Sequence, residues 1–139
     1  MNASTVFQIV NTAVLPAWIF LAVVPRWRYR NTIIYSFCFL LAFIYSYYIF
    51  SDFESLDFDS FGSLEGVMSL FTQEEAVLAG WVHYLVFDLL IGNWVVNQSI
   101  KHDIKHILVV PCLILCFMLG PVGFLLFTVI KYSKIRSLE

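Results

Sequence analysis

Charge is what this sequence has least of. Only 13% of its 139 residues are Asp, Glu, Lys or Arg, while 60% are hydrophobic; soluble domains carry about 25% charged residues. So little charge excludes a water-soluble catalytic domain. It leaves a single-domain integral membrane protein with room for about four helices of roughly 20 residues. Histidine is equally scarce, at three residues, too few for the histidine boxes of membrane di-iron oxygenases. The three cysteines, Cys38, Cys112 and Cys116, all lie in apolar runs. An odd number in hydrocarbon is not a disulfide framework, so they read as small hydrophobic packing residues. Also missing are a Gly-rich phosphate loop, a Cys-x-x-Cys pair, a Gly-x-Ser-x-Gly elbow and a Walker pattern. No basic, aromatic-interleaved face marks a nucleic-acid binder. No basic signal region or Arg/Ser-rich transit peptide precedes the first apolar run, so that run is expected to be retained in a mature or bacterial-type product.

What is present is organised in apolar blocks. The hydropathy pattern predicts spans at residues 4–24, 31–50, 75–97 and 106–130, an all-α four-helix bundle in one transmembrane domain. Pro25, Arg26 and Trp27 stop the first span and anchor it at the interface. Pro16 interrupts its hydrogen-bond ladder, with Asn11 available for a helix-helix bond. Asn31 is placed to cap the second span, which is dense in aromatics: Tyr35, Phe37, Phe39, Phe43, Tyr45, Tyr47, Tyr48 and Phe50. Either lipid packing or a stacking wall for a flat or polyene ligand explains them.

A long acidic connection, residues 51–75, separates the second and third spans. Its stretch Leu64 to Phe71 is expected to lie at the membrane surface as an interfacial segment or lid. Thr72 and Glu75 have capping-box spacing for the third span. Gly120-Pro121-Val122-Gly123 predicts a break in the fourth. Counting basic residues puts the first and third loops on the cytoplasmic side and both termini opposite, although Lys131, Lys134 and Arg136 at the C-terminus pull the other way.

The chemistry is concentrated in Gly80 to Trp94, where His83 and Asp88 stand inside an apolar span. Ionisable groups in hydrocarbon are costly and are usually kept for a purpose. On an ideal helix the two are about 140° apart, so they do not share a face, whereas Tyr84 and Asp88 do. Two readings stay open for them: buried polar residues tied to other spans, or an acid/base set tuned by desolvation. His102 and His106 have the i,i+4 spacing of metal ligands, but they lie beside Lys101 and Lys105, and no metal is assigned.

Leu15-Pro16, Gly66 with Leu70-Phe71 and Glu74, the run Ala79 to Leu89, His106, Pro111-Cys112 and Gly120-Pro121-Val122-Gly123 together resemble the abscisic-acid-deficient-four family, the family of plant neoxanthin synthase. The resemblance covers nearly the whole chain and is most specific at Trp-x-His-x-x-x-x-Asp-Leu. It implies a four-span membrane protein acting as a cofactor-independent isomerase, of the type that turns an epoxycarotenoid into an allenic alcohol. Such a reaction needs an acid at the epoxide oxygen and a base at the polyene. By position, the resemblance assigns His83 as base and Asp88 as its orienting partner or the acid. Glu74, His106, Asn11, Tyr84 and Trp81 become supporting or substrate-binding residues. The implied partners are the bilayer, a lipophilic molecule such as a carotenoid, and further copies of the chain, with no nucleic acid and no cofactor. The composition and the lack of a transit peptide give the expected location, a multi-pass position in a bacterial inner membrane or its equivalent. Two other classes fit the same residues: a non-catalytic binder of a carotenoid, quinone or lipid, and a small proton-coupled transporter subunit.

Overall fold

A computed structural model describes residues 2–51 and 58–136. Among these residues every regular element is helical. They are α1 (Ala3–Val23), α2 (Arg30–Ser51), a 3-10 turn (Phe58–Gly62), α3 (Leu64–Leu70), α4 (Glu74–Lys101), α5 (His106–Leu119) and α6 (Pro121–Arg136). Three of them, α1, α2 and α4, are long and apolar enough to cross a membrane, and α5 is a shorter apolar helix. The acidic part of the long connection, residues 52–57, lies outside the described residues.

Local chemistry explains most boundaries. The Asn2 side chain accepts from the Ser4 N–H at 2.7 Å and caps α1. The helix stops at Val24, ahead of Pro25, which disfavours helical backbone in the residue before it. Ser63 caps α3 by accepting from the Gly66 N–H at 3.1 Å, so the expected surface segment is a two-turn helix. Two expected caps are corrected. Asn31 lies inside α2, which begins one residue earlier, and its side chain accepts from Arg30 instead. The N-cap of α4 is Gln73, because the Thr72 hydroxyl turns back to donate to the Ser69 carbonyl at 2.7 Å.

The core is built around α4, which touches α1, α2, α5 and α6. On α1 the buried residues Val6, Val10, Val14, Trp18 and Leu21 recur every three or four positions and form one stripe. On α2 the stripe is Ile34, Cys38 and Leu41. The other faces of both helices carry exposed Ile19, Phe39, Phe43 and Tyr47. A soluble protein does not leave such apolar faces bare, and a bilayer covers them without further packing.

The region expected to form one fourth span is instead a helical hairpin. Gly120, at φ +36°, ends α5, and the chain turns back so closely that a side chain on Gly123 would collide with the backbone of Cys112 and Cys116. Going down, α5 is antiparallel to α4: its end meets Tyr84 and Asp88, and its start lies beyond the α4 C-terminus. Coming back, α6 packs Phe124 and Phe127 on Trp94 and then Lys131 on Gln98, so it runs in the direction of α4. The C-terminal basic residues therefore return to the end that holds the first and third loops, where Arg26 pairs with Asp103 at 3.9 Å. In the fold the two termini therefore lie at opposite ends, not at one end as expected. All eight Lys and Arg residues cluster at one end, and Glu65, Glu74 and Glu75 sit at the other, around α3 and the start of α4.

Candidate functional site

At about 1.5 Å per residue, the 28 residues of α4 measure roughly 42 Å, and Asp88 falls near the midpoint. The turns before it present Trp81 and Tyr84 on the same side, at the i,i+3 and i,i+4 spacings that make helix neighbours. Trp81 donates its indole N–H to the Asn11 side-chain oxygen of α1 at 3.3 Å. Its ring lies 5.5 Å from Phe7 and 5.4 Å from Tyr84. The Tyr84 hydroxyl donates to the Phe117 carbonyl near the end of α5 at 3.3 Å, and the phenol is the polar side chain facing the Asp88 carboxyl.

Asp88 is 8% exposed and lies against the hairpin tip. A methyl group built on Gly120 would sit 2.5 Å from Asp88 Oδ1, so only glycine allows the turn to close over the carboxyl. The Cys116 thiol is within electrostatic reach. Asp88 Oδ2 is buried with no hydrogen-bond partner among the described residues. Most buried polar atoms are satisfied, and one that is not calls for a functional or solvent explanation. Chemically, the site offers a carboxyl with an oxygen to spare and a phenol one turn away, both able to give or take a proton.

Beside it runs an apolar groove of about 450 Å³ between α1 and α5, lined by Leu15, Trp18, Ile19, Val110, Ile114 and Phe117 among others. Phe117 belongs both to this groove and to the Tyr84 hydrogen bond. The groove and the Tyr84 hydroxyl are thus linked through Phe117.

The structure does not bring the remaining sequence candidates to Asp88. His83 is exposed on another face of α4, stacked on Phe87 at 4.5 Å and 25° and tilted against Tyr45 of α2 at 5.7 Å. Glu74 is exposed at the start of α4 and lines a surface hollow with Phe7 and Thr72. His106 is at the opposite end, where its Nε2 lies 2.8 Å from the Ala22 carbonyl and ties α5 to α1. His102 and His106 share no helical face, because α4 ends at Lys101 and α5 begins at His106.

Sequence reasoning missed Gly120 as a wall of the site, and also Arg30. Arg30 reads as one of a basic run, yet it is buried against Asn93 and Asn97 of α4. The available signal was the i,i+4 pair of amides in an apolar helix.

Apolar outer faces, a mid-helix carboxyl–phenol pair and an adjoining apolar groove define a helical membrane protein with a polar site buried at mid-depth. More particularly, the chain belongs to the ABA4-like family: the family model described as ABA DEFICIENT 4-like matches residues 5–127. A relative, "Protein ABA DEFICIENT 4, chloroplastic" of Arabidopsis thaliana, is 29% identical over 131 residues, covering 87% of this chain and 58% of the relative. The chain thus spans little more than half the length of that protein. No solved structure matches it.

Proposed function

We propose that this chain is a multi-pass membrane protein that holds a carotenoid, or another long lipophilic molecule, in the α1–α5 groove and isomerises it without a cofactor at Asp88 and Tyr84. The observation that carries this reading is the buried Asp88 carboxyl, with Oδ2 unpartnered, beside Tyr84, whose hydroxyl is bonded to the groove residue Phe117. Family membership supports the substrate class.

In the proposed reaction a base takes a proton from a polyene carbon beside an epoxide. The released electron pair forms the second double bond of an allene, the adjacent C–O bond breaks, and the oxygen takes up a proton. Nothing is oxidised or reduced overall. A carboxyl and a phenol about one helical turn apart can supply both proton transfers, provided each reaches its atom at about 2.6–3.2 Å. Trp81, held by Asn11, would pack against the end group of the substrate.

The test is to incubate the purified protein with an epoxycarotenoid in detergent and look for a product of unchanged mass and altered absorption. An unchanged pigment would refute the epoxycarotenoid isomerase reading. In the same assay His83→Ala distinguishes the two candidate bases. With Asp88 and Tyr84 as the proton-handling pair, this variant keeps most of its turnover; loss of turnover with intact binding would move the base to His83 and the Tyr45–Phe87 shelf.

A non-catalytic binder is the second reading, favoured by the groove itself, which would hold a polyene whether or not chemistry follows. Bound pigment that is never converted would select it.

The arrangement in the bilayer follows from the charge asymmetry. By the positive-inside tendency, the basic end is cytoplasmic, the acidic end is opposite, and the α5–α6 hairpin enters and leaves on the basic side. In a bacterial inner membrane or its equivalent, tags at residue 28 and after residue 136 should be reached from the same side of sealed vesicles, and a tag at the N-terminus from the other. Joint labelling of the two termini would refute the re-entrant arrangement.

A further inference from the structure

A second polar centre lies at the basic end, independent of Asp88. Arg30 opens α2 and is only 3% exposed. Its guanidinium is held entirely by neutral oxygens. Nε donates to Asn93 Oδ1 at 3.2 Å, one terminal nitrogen donates to Asn31 Oδ1 at 2.9 Å and to Asn97 Oδ1, and the other donates to the Pro25 carbonyl. No carboxylate among the described residues pairs with it; the ion pair at this end joins exposed Arg26 to exposed Asp103. A guanidinium has five N–H donors, so one donor is left over and the whole charge is uncompensated. Removing one charge from water without an opposite charge is unfavourable, and amide oxygens offset only part of that cost.

A pocket of about 420 Å³ opens on this residue, lined by Pro25, Arg26, Trp27, Arg30 and Ile100. Two of its lining residues are arginines, whose planar guanidinium forks match phosphate oxygens better than a point charge does. Its lip is apolar: Trp27 and Ile100 are partly exposed there, and the Trp27 ring packs edge-on against Phe20 and Tyr29. The remaining Lys and Arg residues of the chain surround the same end, where the ends of α1 and α4 meet. A bivalent phosphate anion in bulk water would need only the cations. An anionic phospholipid would use the cations for its phosphate and the indole and isoleucine for its glycerol and upper acyl carbons.

We propose that the Arg26–Arg30 pocket binds a phosphate oxyanion, and that its source is the head group of an anionic phospholipid seated at the basic membrane face. Arg30 is the fixed, pre-oriented cation and Arg26 the mobile one that closes over the head group. The site gives a role to an arginine buried among amides, where a neutral residue would fold at less cost.

The test is thermal unfolding of the full chain in a neutral detergent, with added phosphatidylglycerol, phosphatidylcholine or inorganic phosphate. Phosphatidylglycerol should raise the midpoint by about 5 °C near saturation, with phosphatidylcholine giving little. Arg26→Gln should lose at least half of the shift and Arg30→Lys nearly all of it, while Arg136→Gln, outside the pocket, should keep it. Should Arg30→Lys fail to fold, Arg26→Gln alone carries the comparison. A shift with inorganic phosphate that the pocket variants abolish, without one from phosphatidylglycerol, overturns the lipid as source and retains the oxyanion. Equal shifts from both lipids, or a phosphatidylglycerol shift that survives in both pocket variants, overturn the site.

Discussion

Gly120→Ala is expected to be a strongly damaging single-methyl change. Two independent costs meet at this residue. Its φ of +36° is a conformation that L side chains rarely adopt, and strained backbone of this kind costs about 1–3 kcal/mol. The added methyl would also stand 2.5 Å from Asp88 Oδ1, so the hairpin tip or the carboxyl has to move. Gly62→Ala provides the control, since a side chain there meets nothing within 4 Å. The expected result is a clearly lowered unfolding midpoint in detergent for Gly120→Ala and no change for Gly62→Ala. A double variant separates the two costs. Adding Asp88→Ala relieves the collision but not the backbone strain, so it should recover part of the lost stability and none of the turnover. If Gly120→Ala were as stable as the parent, the tight turn over Asp88 would be disproved.

The contrast between hydropathy and chain direction explains what the sequence disclosed. The spans at 4–24 and 31–50 agree with α1 and α2 to within a residue, because uncharged runs and the Pro25–Arg30 stop are one-dimensional signals. The helix that holds the third span runs beyond the predicted 75–97. Hydropathy fades after Asn97, but the helix continues to Lys101, with Ser99 buried and Gln98 accepting from Lys131. For residues 106–130, composition marked both an apolar stretch and a break at Gly120. Whether a helix bends or reverses there depends on the backbone angles of one residue and on the packing of Gly123 against α5, neither of which has a hydropathy signature.

The candidate site shows the same division. Tyr84 and Asp88 share a face by helical spacing alone, and His83, about 140° from Asp88, lies on another face of α4. Asn11, Trp81, Tyr84 and Asp88 form one connected set running from α1 to the hairpin tip. The contact of Asp88 with Gly120 joins residues 32 positions apart through a chain reversal, so nothing local announces it. Arg30 with Asn93 and Asn97 is a similar case, spanning two helices. In both instances the sequence supplied the unusual residue in an apolar run, and tertiary packing supplied its partner.

Asp88→Asn should separate the chemistry from the fold. Asparagine has nearly the same shape, and a neutral amide is no harder to bury than a carboxyl with an unpartnered oxygen. The variant is therefore expected to fold, to unfold at no lower temperature than the parent, and to keep whatever pigment the groove between α1 and α5 holds. Proton transfer is what it loses: an amide is neither a base nor an acid in this range, and positioned acid-base groups contribute about 100- to 10,000-fold. Turnover of an epoxycarotenoid should fall by that order with the pigment affinity unchanged. Tyr84→Phe should give a smaller loss, because it removes the phenol but leaves the carboxyl. Binding titrations and product analysis on the same preparation check both halves. Full turnover in Asp88→Asn would eliminate this carboxyl as the proton carrier. A joint loss of binding and turnover would instead make Asp88 a residue that shapes the groove rather than one that reacts.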